Sequence, residues 1–140
     1  MRADPSIEPG RTHERTWIVE EEHLASRYGS GLVDVLATPV LVAFCEETAR
    51  ESVDPLLPEG RKTVGTSIEL SHTAPTPPGL RVTVISRLVE VDGPRLRFEI
   101  EARDEIEPIG TARHERFVVE AARFERRVAA KRRAEHVTSD

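Results

Sequence analysis

Three side chains could together carry out nucleophilic or general-base chemistry: the hydroxyl of Thr38, the carboxylate of Glu46 and the imidazole of His72. A histidine held between a hydroxyl and a carboxylate can accept a proton near neutral pH. Thr38 and Glu46 lie eight residues apart, about 12 Å along a helix at 1.5 Å per residue, so they cannot touch. Because helical side chains lean toward the N-terminus, Glu46 reaches back toward Thr38, and His72 could fill the remaining gap.

Each of these residues also has a simpler structural interpretation. Thr38 could be a helix N-cap, because proline follows it and suits the first helical position. Glu46 could lie beside Glu47 in water at the margin of the helix. His72 could be a core histidine bonded to a backbone carbonyl. The residues alone leave both interpretations open.

The helix that would hold Thr38 and Glu46 is predicted by hydrophobic periodicity. Apolar residues recur every three or four positions from Val40 to Val53, which is typical of one helix face. The pattern predicts a helix that begins at Thr38-Pro39 and ends near Val53, because the following Asp54-Pro55 disfavours helical backbone.

The rest of the chain favours strands that alternate between two faces. In the strand that holds His72, this residue shares a face with every second residue from Val64 to Ala74, Thr66, Ile68 and Leu70 among them. Asp92-Gly93-Pro94 is typical of a hairpin turn. The predicted strands are residues 12–20, 64–74, 81–91, 95–103 and 109–119, and a charged helix is predicted over 123–135. One long helix against one antiparallel sheet predicts an α+β fold, the hotdog arrangement in which the sheet wraps a central helix and the protein usually dimerises.

Composition excludes several function classes. The chain has 20 Lys and Arg against 25 Asp and Glu, a net charge of -5, which argues against a basic nucleic-acid binder. The single cysteine, Cys45, excludes an internal disulfide and a multi-cysteine metal site. No apolar stretch reaches the length of about 18 residues that a membrane span needs, and no apolar run marks a secretory signal. We expect a cytoplasmic protein with neither nucleic-acid nor membrane partners.

The length predicts one domain. The 140 residues would form a domain over 1–140, with a core of about 11–122 and a charged tail over 123–140. Only 38% of the residues are hydrophobic, so a monomer would have a thin core, which favours a homodimer. The histidines other than His72 show no metal-ligand spacing, so we expect no metal. Gly65, inside an apolar strand, indicates either a bulge or a close approach to the backbone.

Two segments resemble the fluoroacetyl-CoA thioesterase family. The run His72–Leu80 (HTAPTPPGL) looks like the segment that begins at that family's catalytic histidine, and Ile109–Arg116 (IGTARHER) resembles its last core strand. Ala37-Thr38 followed by Glu46 matches its central helix. The resemblance covers roughly residues 11–128 and implies a hotdog homodimer that acts on an acyl-CoA thioester.

Carried over by position, the resemblance implies a catalytic triad of Thr38, Glu46 and His72, with Gly65 and Arg116 as substrate-binding residues. It implies no cofactor apart from the CoA of the substrate. The family's phenylalanine lid has no counterpart here, because the matching stretch 24–36 is shorter and contains no phenylalanine. We therefore expect a small-acyl thioesterase without fluoroacetyl selectivity. The alternatives are a non-catalytic acyl-CoA binding module and a hotdog dehydratase or hydratase.

Overall fold

The computed structural model describes residues 7–138, with side chains through residue 134. Residues 1–6, 139 and 140, which the predicted domain includes, lie outside the described residues. The helices and longer strands are β1 (Thr12–Ile18), α1 (Ala25–Tyr28), α2 (Thr38–Val53), β2 (Arg61–His72), β3 (Arg81–Asp92), β4 (Arg95–Asp104), β5 (Pro108–Glu120) and α3 (Ala121–Thr138). Short 3-10 turns precede α1 and follow α2. The predicted central helix is confirmed at both ends.

The five strands form one antiparallel sheet in the order β1-β3-β4-β5-β2. A two-residue loop joins β3 to β4, and Gly93 in that loop has a φ of 58°, which favours glycine. Strand β2 does not pair with β3, the next strand in sequence, but crosses to the far side of β5. Strands β1 and β2 are therefore the edges of the sheet.

Helix α2 packs its apolar face against one side of the sheet, as the α+β hotdog prediction requires. Leu41, Ala49 and Val53 are fully buried on the helix, and the inward residues of β3 and β4 are buried opposite them. Trp17 of β1 stacks on Phe44 of α2, with ring centroids 4.1 Å apart and an interplanar angle of 7°. No helix in the described part of the chain has both the length and the apolar composition needed to cross a membrane.

The capping of α2 differs from the interpretation in which Thr38 is the N-cap. The N-cap is Ala37, and Thr38 is the first helical residue, with no side-chain capping bond at this end. Backbone bonds fix the preceding residues in place: the Leu36 amide donates to the Thr76 carbonyl, and the Ala37 amide donates to the His23 carbonyl, both at 2.8 Å. The Thr38 hydroxyl is therefore free to bond elsewhere.

A β-bulge in β2 changes which residues face the helix. The register with β5 shifts between Gly65 and Ser67. Before the bulge, Thr63 and Gly65 point toward α2, and after it the inward residues are Ile68, Leu70 and His72. The predicted parity of His72 is confirmed, but its extension back through residues 64 and 66 is wrong, because one inserted residue reverses the alternation.

The loop between β2 and β3 is tied to the β4–β5 turn by Asp104. One Asp104 carboxylate oxygen accepts the amides of Ile106 and Glu107 at 2.8 and 2.9 Å, and the other accepts the buried Thr76 hydroxyl at 2.9 Å. Burial alone would raise the pKa of Asp104, but these three donors and the charge of Arg103 lower it. Since the Thr76 carbonyl also binds the Leu36 amide, Asp104 supports the entry to α2.

We expect Asp104→Ala to lower the free energy of unfolding by about 3 kcal/mol, because it leaves three donors without their charged acceptor. Urea denaturation measures the change. Asp92→Ala is the matched control, because Asp92 ends the neighbouring strand but holds only an exposed ion pair with Arg95. Equal stability of the two variants would contradict the role given to Asp104.

Candidate active site

Thr38 and His72 lie together, as the sequence predicts. The Thr38 hydroxyl is 2.8 Å from Nδ1 of His72, a contact between the first turn of α2 and the end of β2. It depends on two features of the fold: the helix cap that leaves Thr38 free, and the strand register that turns His72 inward. The simpler interpretation of His72 as a core histidine bonded to a backbone carbonyl does not describe its Nδ1 atom.

The second ring nitrogen of His72 is buried without a hydrogen bond. Within the described residues, Nε2 has no partner of acceptable geometry. Burial lowers the pKa of His72 below its usual 6.5, and the backbone of Ala74 opposes part of that shift. The imidazole is therefore neutral at neutral pH and can accept a proton.

A cavity of about 280 Å³ opens beside this pair. Small and aliphatic residues form most of its walls. They are Ala25, Gly31, Val33, Val35, Leu36, Ala74 and Pro75. The Thr38 hydroxyl and the His72 ring thus face a mostly apolar space that can hold a small uncharged group.

Glu46 lies in a different place. Its carboxylate is 3.9 Å from Nη1 of Arg116. A Cβ atom added to Gly65 would lie only 2.7 Å from Oε2 of Glu46. The Glu46 side chain is 43% exposed and that of Arg116 is 6% exposed, so the pair lies at the boundary of the core.

The predicted line from Thr38 through His72 to Glu46 is therefore absent within one chain. Gly65, which touches Glu46, and His72 are seven residues apart on β2, roughly 20 Å at 3.3 Å per residue. The expected reach of Glu46 back toward Thr38 does not occur within one chain, because the Glu46 carboxylate lies against Gly65 and Arg116. The chain instead has two half-sites: the Thr38–His72 pair, and the Glu46 cluster formed by Glu46, Gly65 and Arg116.

Arg116 is anchored inside the Glu46 cluster by three bonds. Its Nε donates to the Thr63 hydroxyl at 2.8 Å, and its Nη2 donates to the Thr63 carbonyl at 3.1 Å. Its Nη1 donates to Nε2 of His114 at 3.1 Å. The Thr63 hydroxyl in turn donates to Asp54. Burial lowers the pKa of Arg116, while Asp54 and Glu46 oppose that shift and stabilise the charged form.

His114 lies in this cluster, although the sequence pattern predicted no role for it. Its ring is buried, with Nδ1 2.8 Å from the Ser67 carbonyl and the ring of Phe98 against it at 6.1 Å. The spacing of metal ligands does not identify His114, because its ring nitrogens bind a carbonyl and an arginine. Strand alternation does predict its burial, because His114 and Arg116 share the inward face of β5 with Ala112. In the part of the chain that the structure describes, no group of three or more metal-ligand side chains is close enough to hold an ion.

This chain is similar in sequence to a known thioesterase. Residues 19–122 match the sequence pattern of the fluoroacetyl-CoA-specific thioesterase family. A fluoroacetyl-CoA thioesterase of Streptantibioticus cattleyicolor is 39% identical over 98 residues, which are 70% of this chain and 70% of that protein.

Solved structures share the fold. One of a fluoroacetyl-CoA thioesterase is 31% identical, with a TM-score of 0.84, and the match covers 89% of this chain and 97% of that chain. A thioesterase superfamily member from Thermus thermophilus is 27% identical, also with a TM-score of 0.84, over 96% and 98% of the two chains. These likenesses confirm the hotdog fold.

The lowered pKa values of His72 and His114 predict that acid weakens the fold. Burial is the main cause of both shifts, although the Ser67 backbone bond partly opposes the shift of His114 and the charge of Arg116 adds to it. Below pH 6.5 these histidines take up protons in the unfolded chain more readily than in the folded chain, so the free energy of unfolding decreases as the pH is lowered. Urea denaturation at pH 7.5 and 5.5 measures the loss. The double variant His72→Gln, His114→Gln should lose less free energy of unfolding between pH 7.5 and 5.5. A higher free energy of unfolding at pH 5.5 than at pH 7.5 in the wild type would contradict the prediction.

Proposed function

Because this chain belongs to the fluoroacetyl-CoA-specific thioesterase family, we propose that it hydrolyses a small acyl-CoA thioester to a free acid and CoA. The observation that carries the proposal is the 2.8 Å contact between the Thr38 hydroxyl and the His72 ring beside an apolar cavity. In the reaction, hydroxide from water is added to the acyl carbon, the carbon–sulfur bond breaks, and the thiolate receives the proton.

His72 is the base in this proposal. As a neutral imidazole it accepts the proton of the attacking group and later gives it to the leaving thiolate. In this route the attacking group is Thr38, which forms an acyl-threonine ester as the carbon–sulfur bond breaks, and water then hydrolyses the ester. In the alternative route Glu46 takes the proton of an attacking water and returns it to the leaving thiolate. Backbone amides near Gly65 would stabilise the oxyanion.

We propose that a homodimer brings the two half-sites together. Strand β2 is an edge of the sheet, and Glu46 lies too far from His72 of the same chain. If two copies of β2 pair about a two-fold axis at Glu69, the bulge between Gly65 and Ser67 takes up one residue, so Gly65 lies opposite His72 of the partner subunit. Directly opposed residues of an antiparallel pair point to the same face, and Gly65 and His72 both face the helix layer.

A carboxylate at this position would satisfy the buried Nε2 of His72. When the Thr38 hydroxyl donates to Nδ1, Nε2 carries the ring proton and needs an acceptor. Glu46 of the partner subunit would provide one, either directly or through water. The line of hydroxyl, imidazole and carboxylate would then form across the interface.

The same proposal covers the surroundings of the reaction. We expect no metal and no cofactor beyond the CoA of the substrate, since a thioester carbonyl is reactive without Lewis-acid help. We expect the enzyme to work in the cytoplasm, where acyl-CoA is found and where the lone Cys45 stays reduced.

Single substitutions test the roles. His72→Ala should lower kcat by about 10²–10⁴ and leave the fold intact. Glu46→Gln should cost less if Glu46 only orients the imidazole. Thr38→Ala should approach the loss of His72→Ala if Thr38 is the nucleophile, and Thr38→Ser should restore most of the rate. Free-thiol release from a panel of CoA esters is the assay, with the melting temperature measured for each variant.

The panel also separates the alternatives. A binding module would hold the esters without releasing thiol, and a dehydratase or hydratase would change the acyl chain with the thioester intact, which a product mass spectrum detects. Wild-type turnover in folded His72→Ala protein would exclude the mechanism proposed here.

Mixing two impaired variants tests the shared site. Light scattering should give twice the 15.7 kDa chain mass. After unfolding and co-refolding, His72→Ala and Glu46→Gln subunits should recover activity, because one site of each mixed dimer then has both residues. Random pairing predicts about a quarter of the wild-type rate per chain. Mixed dimers no more active than the average of the two parent variants would show that the residues act within one chain.

Selectivity for fluorine should be weak. Tyr28 is the only aromatic residue in the stretch 24–36, and its side chain is exposed. The ratio of kcat/KM for fluoroacetyl-CoA to that for acetyl-CoA should stay below about a hundredfold, or ~2.7 kcal/mol of transition-state binding. A larger ratio would reveal a source of fluorine selectivity other than lid aromatics.

A further inference from the structure

His114 is a buried titratable group to which the proposed reaction gives no part. Its ring makes two hydrogen bonds whose directions are fixed by its partners. The Ser67 carbonyl can only accept, so Nδ1 of His114 carries the proton. Arg116 can only donate, so Nε2 of His114 must present its lone pair. Both bonds exist together only in the neutral Nδ1–H form.

The lone pair on Nε2 of His114 holds one nitrogen of the Arg116 guanidinium in place. Two of the three bonds to Arg116 come from Thr63, and they hold the Nε and Nη2 atoms. The third, from His114, holds Nη1, which is the atom 3.9 Å from the Glu46 carboxylate. His114 is therefore the contact that fixes the part of the guanidinium facing Glu46.

The strand around Gly65 completes the arrangement. The space where a Gly65 side chain would begin lies 2.7 Å from Glu46 Oε2, 3.3 Å from His114 Cε1 and 3.4 Å from Arg116 Nη1. The three side chains thus meet over one glycine. The bulge that follows brings the Ser67 carbonyl to His114.

We propose that His114 is a positioning residue for the reaction: its neutral Nδ1–H ring holds Arg116 Nη1 beside Glu46, and protonation of the ring releases that contact. A proton on Nε2 would face the N–H of Arg116, so a donor would meet a donor. The charged groups around the ring are Arg116 and Glu115 on β5 and Glu46 on α2, while β2 contributes a carbonyl and β4 the ring of Phe98. The inference rests on the proposed function, because only that function assigns Glu46 to the reaction.

Two amide variants separate the two bonds of the ring. In His114→Asn, the side-chain amide takes the place of Nδ1 and keeps a donor for Ser67, but nothing accepts from Arg116. In His114→Gln, the amide oxygen takes the place of Nε2 and accepts from Arg116. We expect His114→Asn to lower kcat about tenfold with KM nearly unchanged, and His114→Gln to recover the rate to within about threefold of wild type. His13→Asn, on the opposite edge strand beside Glu51, is the control.

Nitrogen NMR tests the geometry without any substrate. The wild-type spectrum should show the Nδ1–H tautomer of His114, and acidification should shift the Arg116 guanidinium signals together with its titration. In His114→Gln the Arg116 signals should stay constant over the same pH range. This result stands even if no CoA ester is hydrolysed, in which case the proposed function alone has failed.

Equal loss of kcat in His114→Asn and His114→Gln, or losses that follow the melting temperature, would show that His114 only fills the core. An Nε2–H tautomer, or Arg116 signals indifferent to His114, would overturn the positioning role even in an active enzyme. Selective loss in His114→Asn together with coupled titration is the result expected.

Discussion

The hydrogen bond between Thr38 and His72 depends on a helix that begins without a side-chain cap. A threonine at the start of a helix usually bonds to the backbone amides of the first turn. Here the backbone of Ala37 takes the cap position, while the carbonyls of His23 and Thr76 hold the two residues before the helix. The hydroxyl can then point across to the sheet. The loops around the site therefore act by keeping one hydroxyl away from its ordinary partner.

In the Glu46 cluster, by contrast, the buried Arg116 keeps its usual hydrogen-bond acceptors. A buried guanidinium is costly unless its donors are satisfied and its charge is balanced. Arg116 has three fixed acceptors, with the carboxylates of Asp54 and Glu46 on either side. Gly65 leaves the space in which this cluster fits, and since its backbone has no positive φ, it is the missing side chain that the cluster requires.

Local signals predicted most of the fold and half of the site. Periodicity located α2, because burial of one helix face repeats along the sequence itself, and Thr38-Pro39 and Asp54-Pro55 marked its ends. Strand parity put His72 on the face toward the helix, and the family resemblance paired it with Thr38. The bulge at residues 65–67 could not be predicted in this way, since an inserted residue is defined by the partner strand. The position of Glu46 was also missed, because its neighbours Gly65 and Arg116 come from two strands whose pairing no local pattern reveals.

The separation of the half-sites has a geometric cause that also indicates how they would be joined. Along helix α2, Thr38 and Glu46 are about 12 Å apart at 1.5 Å per residue, and along β2, Gly65 and His72 are roughly 20 Å apart at 3.3 Å per residue. Thr38 meets His72 at one end, and Glu46 meets Gly65 at the other. One chain cannot close that gap without bending the strand. In the proposed homodimer, a two-fold axis across β2 would reverse the direction of the second copy, so the Glu46 end of one subunit would lie beside the His72 end of its partner.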